Sequence, residues 1–293
     1  MKVLGSYQNG NYSVTIWDDG TKVRQTCGTA FEPTKPESMD LKITNRCDMG
    51  CPMCHEDSTP GGAHGDILNL PFLDTLLPYT EIAIGGGNPL SHPDLTQFLR
   101  LLKSKRLIAN MTVNAAHFIR DFDRIKQLSD DGYIHGLGVS VTYMTNDLLD
   151  KLRQIPNVVL HVINGVITVD ELRMMYDKGL KLLILGYKDF RRGVAAHKPD
   201  TDLNMAHLYA ELPELVKHFE VVSFDNLAIR QLDPKRLMSE EEWNEFYMGD
   251  DGQFTMYVDA VFREFAKSSV STERWPLMDE IEPMFRLVRN EQR

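Results

Sequence analysis

Between residues 39 and 224, short apolar runs alternate with stretches in which apolar positions recur every three or four residues. The runs Asp40–Thr44, Glu81–Ile84, Ile108–Val113, Gly138–Thr142, Val158–Ile163, Leu180–Leu185 and Glu220–Phe224 read as strands. The stretches Leu68–Leu77, Pro93–Lys105, Ala116–Ser129, Asn146–Gln154, Val169–Lys178 and Asn204–His218 read as helices. Repeated β-α units imply a parallel sheet with right-handed crossovers, either open and doubly wound or rolled into a barrel. The fold expected is therefore α/β, with a full or partial (β/α) TIM-like barrel as the preferred architecture. Local chemistry supports the boundaries. Thr168 with Glu171 makes a capping box, and Gly132 and Gly179 sit where helix C-caps belong.

The flanks follow other patterns. In residues 1–28, Tyr12, Val14 and Ile16 alternate with polar residues between the turn pairs Asn9-Gly10 and Asp19-Gly20, so a β-meander is expected. Pro33 and Pro36 then break regular structure and place a linker before residue 39. Residues 235–293 read as a mainly helical extension, opened by the capping box of Ser239 and Glu242. Met256, Tyr257, Val261, Phe262 and Phe265 fall at helical spacing there, and Glu273 to Pro276 marks a break. The expected division is 1–38, 39–234 and 235–293.

Composition narrows the function. The 293 residues carry a net charge of -10, which opposes the phosphate attraction behind nucleic-acid binding. A small molecule or a peptide is the substrate class that remains. No run reaches the ~20 apolar residues of a membrane span, and the first ten residues lack a signal peptide's apolar core. A cytoplasmic protein is expected. Of four cysteines, three fall within eight residues, which suits a metal site in a reducing compartment better than a disulfide scaffold.

Those three, Cys47, Cys51 and Cys54, lie in Asn45–His55 directly after the first strand of the alternating region. Loops at the carboxyl ends of parallel strands build active sites, so the thiolates belong at the catalytic mouth. Three thiolates also leave one iron of a four-iron cluster open to a substrate. The spacing matches the CxxxCxxC motif, and the chain resembles the radical S-adenosylmethionine (SAM) superfamily. The resemblance implies a [4Fe-4S] cluster on these cysteines, with the amino and carboxylate groups of SAM on its open iron. It further implies reductive cleavage of SAM to methionine and a 5′-deoxyadenosyl radical, which abstracts hydrogen from the substrate. An external electron donor such as flavodoxin or ferredoxin is implied as well. Met53 stands where the family usually places an aromatic residue. Because no cysteine follows Cys54, the resemblance points to a single-cluster member without a SPASM-type domain. The competing reading is a non-catalytic zinc or iron–sulfur module, with His55 as a fourth ligand. Cys27 shares a strand face with Val23 and is expected to be a buried, inert thiol.

By the same resemblance, Gly86, Gly87 and Asn88 after the second strand align with the GGE motif that binds the SAM amino group, with Asn in place of Glu. Ser140 on the fourth strand corresponds to a ribose contact. Asn164 at the end of the fifth strand falls in the family's variable GxIxGxxE region, and Gly186 and Tyr187 follow the sixth strand, where the adenine is met. Lys188, Arg191 and Arg192 form a basic loop suited to a substrate carboxylate or phosphate, with a solvated loop as the plain alternative. Asp225 and Asn226 after the seventh strand, and His55, Glu56, His64 and Asp66 beyond the cysteines, complete the groups placed near the substrate.

Overall fold

The alternating pattern is realised as one long sheet in a computed structural model that describes residues 2–290. Met1 and residues 291–293, the outer ends of the expected first and third segments, lie outside the described residues. The chain opens with strands β1 (Val3–Asn9), β2 (Tyr12–Trp17) and β3 (Lys22–Thr26), an antiparallel three-stranded meander turning at Gly10 and Gly20 as expected. Seven strands follow at the anticipated places: β4 (Ser38–Thr44), β5 (Glu81–Gly86), β6 (Ile108–Asn114), β7 (Gly136–Ser140), β8 (Val158–Ile163), β9 (Lys181–Leu185) and β10 (Val221–Phe224). They pair in parallel with their sequence neighbours, in the order β10-β9-β8-β7-β6-β5-β4.

Alternate residues of these strands have opposite fates, as the pleat dictates. Met39, Leu41 and Ile43 of β4, Ile82 and Ile84 of β5, and Met111 and Val113 of β6 belong to the main core, with Phe98, Leu102, Phe118, Leu208 and Leu212 from the crossover helices. Those helices include Leu95–Ser104, Ala115–Arg120 and Pro199–Leu215. The other face carries many polar or small residues, Asp40, Lys42 and Thr44; Asn110, Thr112 and Asn114; Gly136, Gly138 and Ser140; and His161, beside the apolar Val159, Ile163, Leu183 and Leu185. That face is the inside of a curl. Lys188, just after β9, lies 3.2 Å from His55, which follows β4. In a flat sheet, strands five positions apart would be separated by about 24 Å. The curl does not close, for β10 and the opposite edge are not paired among the described residues.

Several expectations need correction. The segment after residue 250 is not mainly helical. Thr255–Asp259 forms β11, parallel to β4 on its free edge, followed by β12 (Glu264–Ala266) and β13 (Trp275–Pro276) in antiparallel order. The apolar residues that suggested one helix belong to two strands around a turn at Ala260–Arg263, where Asp259 accepts from the amides of Val261 and Phe262. Only the helices Glu240–Phe246 and Ile281–Asn290 match the helical reading. The helix expected over 68–77 is a single 3-10 turn, Pro71–Thr75, and that over 116–129 breaks at Asp121 into two. Cys27 does share the outward face of Val23, but both are exposed, so it is not buried.

The meander closes the amino-terminal end of the curl. Lys22 pairs with Glu81 at 2.7 Å, and Arg24 binds both carboxylate oxygens of buried Glu37, at 2.8 and 3.0 Å. The Tyr12 hydroxyl donates to the same Glu37 at 2.6 Å. A second apolar cluster, which includes Tyr12, Val14, Ile16, Ile108 and Phe254, seals this contact.

The role of the carboxyl-terminal strands in the core is measurable. Phe265 of β12 is fully buried. Phe265→Ala is expected to cost about 3–5 kcal/mol of unfolding free energy in urea titration. A loss below about 1 kcal/mol would mean that these strands are not part of the core.

Candidate functional site

The cysteine loop leaves the carboxyl end of β4 and is sewn back onto it. Asn45 exchanges backbone bonds with Ala63 and Thr59, and the Cys47 amide donates to the Thr59 carbonyl at 2.9 Å. Next door, β5 ends in glycines. The Gly87 amide donates to the Thr44 carbonyl and the Asn88 amide to the Arg46 carbonyl, both at 2.7 Å. This approach demands glycine. A Cβ at Gly86 would stand 2.4 Å from the Thr44 oxygen, and one at Gly87 would stand 2.3 Å from the Arg46 oxygen. Gly86 also holds φ +107°, a conformation that side chains disfavour. The structure therefore joins the two segments that the sequence singled out, Cys47–Cys54 and Gly86–Asn88.

Asn88 has a local task. It is buried, and its side-chain oxygen accepts from the Leu90 amide at 3.1 Å, capping the short 3-10 turn Pro89–Ser91. Its side-chain acceptor is thus committed to the chain itself. Beside it lies a cleft of about 230 Å³ lined by Arg46, Cys47, Asp48, Pro60, Asn88, Ser91 and Arg120.

The three thiols are free and half-exposed. Burial, ahead of mutual repulsion, raises Cys47 and Cys51 above the ordinary thiol range, so loading with metal must displace their protons. A single zinc ion would gather its sulfurs to about 3.8 Å from one another, given Zn–S near 2.3 Å. The three sulfurs are not drawn within even 4.8 Å of one another; among the described residues, the group at that distance is Cys47, Asp48 and His117. His55 Nε2 lies 3.2 Å from Lys188 and 3.4 Å from Glu56. Three free thiols on one loop are a donor set that would hold a four-iron cluster with one iron left open. Asp48 is held outward by Arg120 and by His117 Nε2, at 2.7 and 2.6 Å, and these bonds lower its carboxyl to about 2.

Sequence reasoning offered Lys188 and Arg191 either to a substrate anion or to solvent. In the structure both reach the cysteine loop. Lys188 donates to Ser269 and reaches His55, and Arg191 donates to the Glu56 carbonyl at 3.0 Å. Arg192 does the same with the Ser58 carbonyl at 2.7 Å. Asp225 caps the helix Asn226–Leu232 through the Ala228 amide and also accepts from the Gly186 amide. His64 bonds Thr44 at 2.8 Å, and Asp66 binds Asn69.

Around Gly186 and Tyr187 the structure adds a residue the sequence did not single out. Gln231 takes the Tyr187 amide at 2.9 Å, gives to its carbonyl at 3.0 Å, and accepts from the Asn164 side chain at 3.0 Å. Nothing in the sequence marked it, since a Gln on a helix is ordinary. Fully buried Asn164 keeps its Oδ1 without a partner among the described residues, an acceptor fit for a polar ligand. Ser140 faces the interior opposite His161, its parallel partner on β8.

Two further interior groups emerge. His161 lies over Gly138, where a Cβ would come within 2.3 Å of its ring, and burial pushes its imidazole down to about 4. Asp40 borders a cavity of about 750 Å³ in the gap between β10 and β11, with Arg24, Glu37, Asp225, Trp243 and Phe254 among its walls. Asp40 is open to this cavity, yet the protein atoms crowded around its carboxyl raise it to about 6; Lys188 opposes the shift, and Asp251 and Asp225 add to it.

No family model matches the chain. It is 23% identical over 233 residues to the tungsten-containing aldehyde ferredoxin oxidoreductase cofactor-modifying protein of Pyrococcus furiosus. That match takes in 76% of this chain, which spans only 58% of the relative's length. Among solved structures, Streptococcus suis SuiB bound to its precursor peptide SuiA superposes with a TM-score of 0.62 at 11% identity, covering 88% of this chain and 67% of that one. SuiB bound to S-adenosylmethionine gives 0.59 at 9% identity, over 88% and 66%. The likeness is one of fold.

Two outcomes test the site. Gly87→Ala drives a methyl group into the Arg46 carbonyl and should free the cysteine loop, seen as severalfold faster alkylation of the thiols in the native chain; an unchanged rate would mean that the contact does not hold the loop. Asp40 binds its proton more tightly when folded than the roughly 3.9 of an unfolded chain. Its contribution to stability is therefore complete below pH ~4 and lost as pH rises to about 6. Asp40→Asn removes this loss, so the urea midpoint of the variant relative to wild type should rise between pH 4 and pH 7.

Proposed function

We propose that the chain is a radical SAM enzyme that carries one [4Fe-4S] cluster on Cys47, Cys51 and Cys54 and acts on a peptide or small molecule. The observation that carries this reading is the pairing of the CxxxCxxC loop with Gly86–Asn88 at the carboxyl ends of adjacent parallel strands. Its support from outside the chain is the fold shared with SuiB, solved both with SAM and with a precursor peptide, and the cofactor-modifying role named for the Pyrococcus relative.

When bound, the cluster supplies the electron that splits SAM into methionine and a 5′-deoxyadenosyl radical, the species that takes hydrogen from the substrate. The chain's own part is placement and shielding. Gly86 and Gly87 bring main-chain atoms to the methionine end without a side chain in the way. Ser140, Asn164 and the Gly186–Tyr187 backbone, braced by Gln231, form the side for the nucleoside. The Asn164 oxygen without a partner is the acceptor offered there. The interior of the curl keeps water from a reactive carbon centre. The cavity beside Asp40, at about 750 Å³, is of the size that holds a small molecule or a few peptide residues. Flavodoxin or ferredoxin is the proposed electron source and the cytoplasm the proposed setting; among the described residues no helix is long and apolar enough to cross a membrane.

Anaerobic reconstitution with iron and sulfide, followed by reduction in the presence of SAM, should yield 5′-deoxyadenosine, and Cys51→Ala should abolish both cluster and product. An intact cluster that cleaves no SAM would overturn the reading. Zinc in place of iron after oxygen-free purification would favour a non-catalytic metal module.

A further inference from the structure

Two residues past Cys54, the carboxylate of Glu56 is held from four directions. Lys42 Nζ of β4 lies 2.7 Å from it, the Tyr257 hydroxyl of β11 at 3.4 Å, His55 Nε2 at 3.4 Å, and Arg191 Nη1 at 3.8 Å. Lys42 in turn lies 3.0 Å from Asp259 of β11, and both are essentially inaccessible to solvent. The Lys42 stem passes beside Gly86, where an added Cβ would stand 2.9 Å from Lys42 Cγ. One buried chain of charges thus runs from the carboxyl-terminal strand, past the second cofactor segment, to the cysteine loop.

Buried charges are expensive to hold. Replacing such a set with apolar residues is often neutral or stabilising, so stability alone does not account for it. Iron–sulfur potentials, by contrast, respond to nearby charge, and that response is strong where water is excluded. Resting on the reading above, we propose that Lys42, Glu56 and Asp259 are positioning residues that fix the cysteine loop and set the reduction potential of its cluster. Removing a positive charge from the set disfavours the added electron, and removing a negative one favours it.

The test is a redox titration, followed by EPR, of the reconstituted full chain and its variants. Glu56→Gln and Asp259→Asn keep shape and lose a negative charge, so the midpoint should move to more positive potential. Lys42→Met should move it the opposite way, with a changed EPR line shape. Should Lys42→Met fail to fold, Arg191→Gln, at a partly exposed side chain, removes a positive charge from the same carboxylate and carries the same sign. Midpoints equal to wild type in all folded variants, or shifts of one sign regardless of the charge removed, would overturn the proposal. A wild-type chain that binds no iron–sulfur cluster would instead overturn the functional reading on which it rests.

Discussion

The contact on which the rest of the site depends is the meeting of two backbones at the carboxyl ends of β4 and β5. The Thr44 and Arg46 carbonyls accept from the Gly87 and Asn88 amides, and the absence of a Cβ at residues 86 and 87 lets the chains approach. Two bonds of this kind are worth only about 1 kcal/mol each. Their importance lies in geometry: they fix the path of the chain one residue before Cys47. From there the loop has only to be held at its far end. Glu56 and the arginines at 191 and 192 do that, so the loop is anchored at entry and exit while its thiols stay partly accessible.

This arrangement also engages the basic loop after β9. In a flat sheet Lys188 and Arg191 would lie far from the cysteines. Curling the sheet brings the sixth β-α loop over the first, where Arg191 and Arg192 donate to the Glu56 and Ser58 carbonyls. Guanidinium groups with several fixed donors suit such main-chain oxygens well.

Much of the architecture was legible in the sequence because its signals were local. Each of the seven strands from β4 to β10 overlaps its expected position, since an apolar run bounded by Gly, Pro or polar residues needs no distant partner to be recognised. The capping boxes at Thr168 and Ser239 form as read. The carboxyl-terminal strands were hidden for a physical reason. β11 is buried on both faces, with Met256 and Val258 in the core and Tyr257 and Asp259 inside the curl, so its alternation of apolar and polar residues is blurred. In the site, the cysteines and glycines could be placed by spacing, whereas Lys42, Asp259 and Gln231 could not. Their meaning rests on partners far away in sequence, Lys42 with Asp259 and Gln231 with Asn164.

The curl also decides what the interior can hold. Helices cover one face of the sheet and bury its branched side chains, leaving the inner face of β4 to β7 mainly to polar and small residues. Gly136 and Gly138 are part of that economy of space. A Cβ at Gly138 would collide with the His161 ring, and one at Gly136 with the Asn110 side chain. Glycine inside a strand weakens it, so these two positions are tolerated where the room they leave is occupied by interior polar groups. Below them the meander closes the floor through the Glu37 and Glu81 pairs, and beside them the gap between β10 and β11 stays open. A closed barrel would seal that gap. The unclosed sheet keeps a side entrance to the interior, bordered by Asp40.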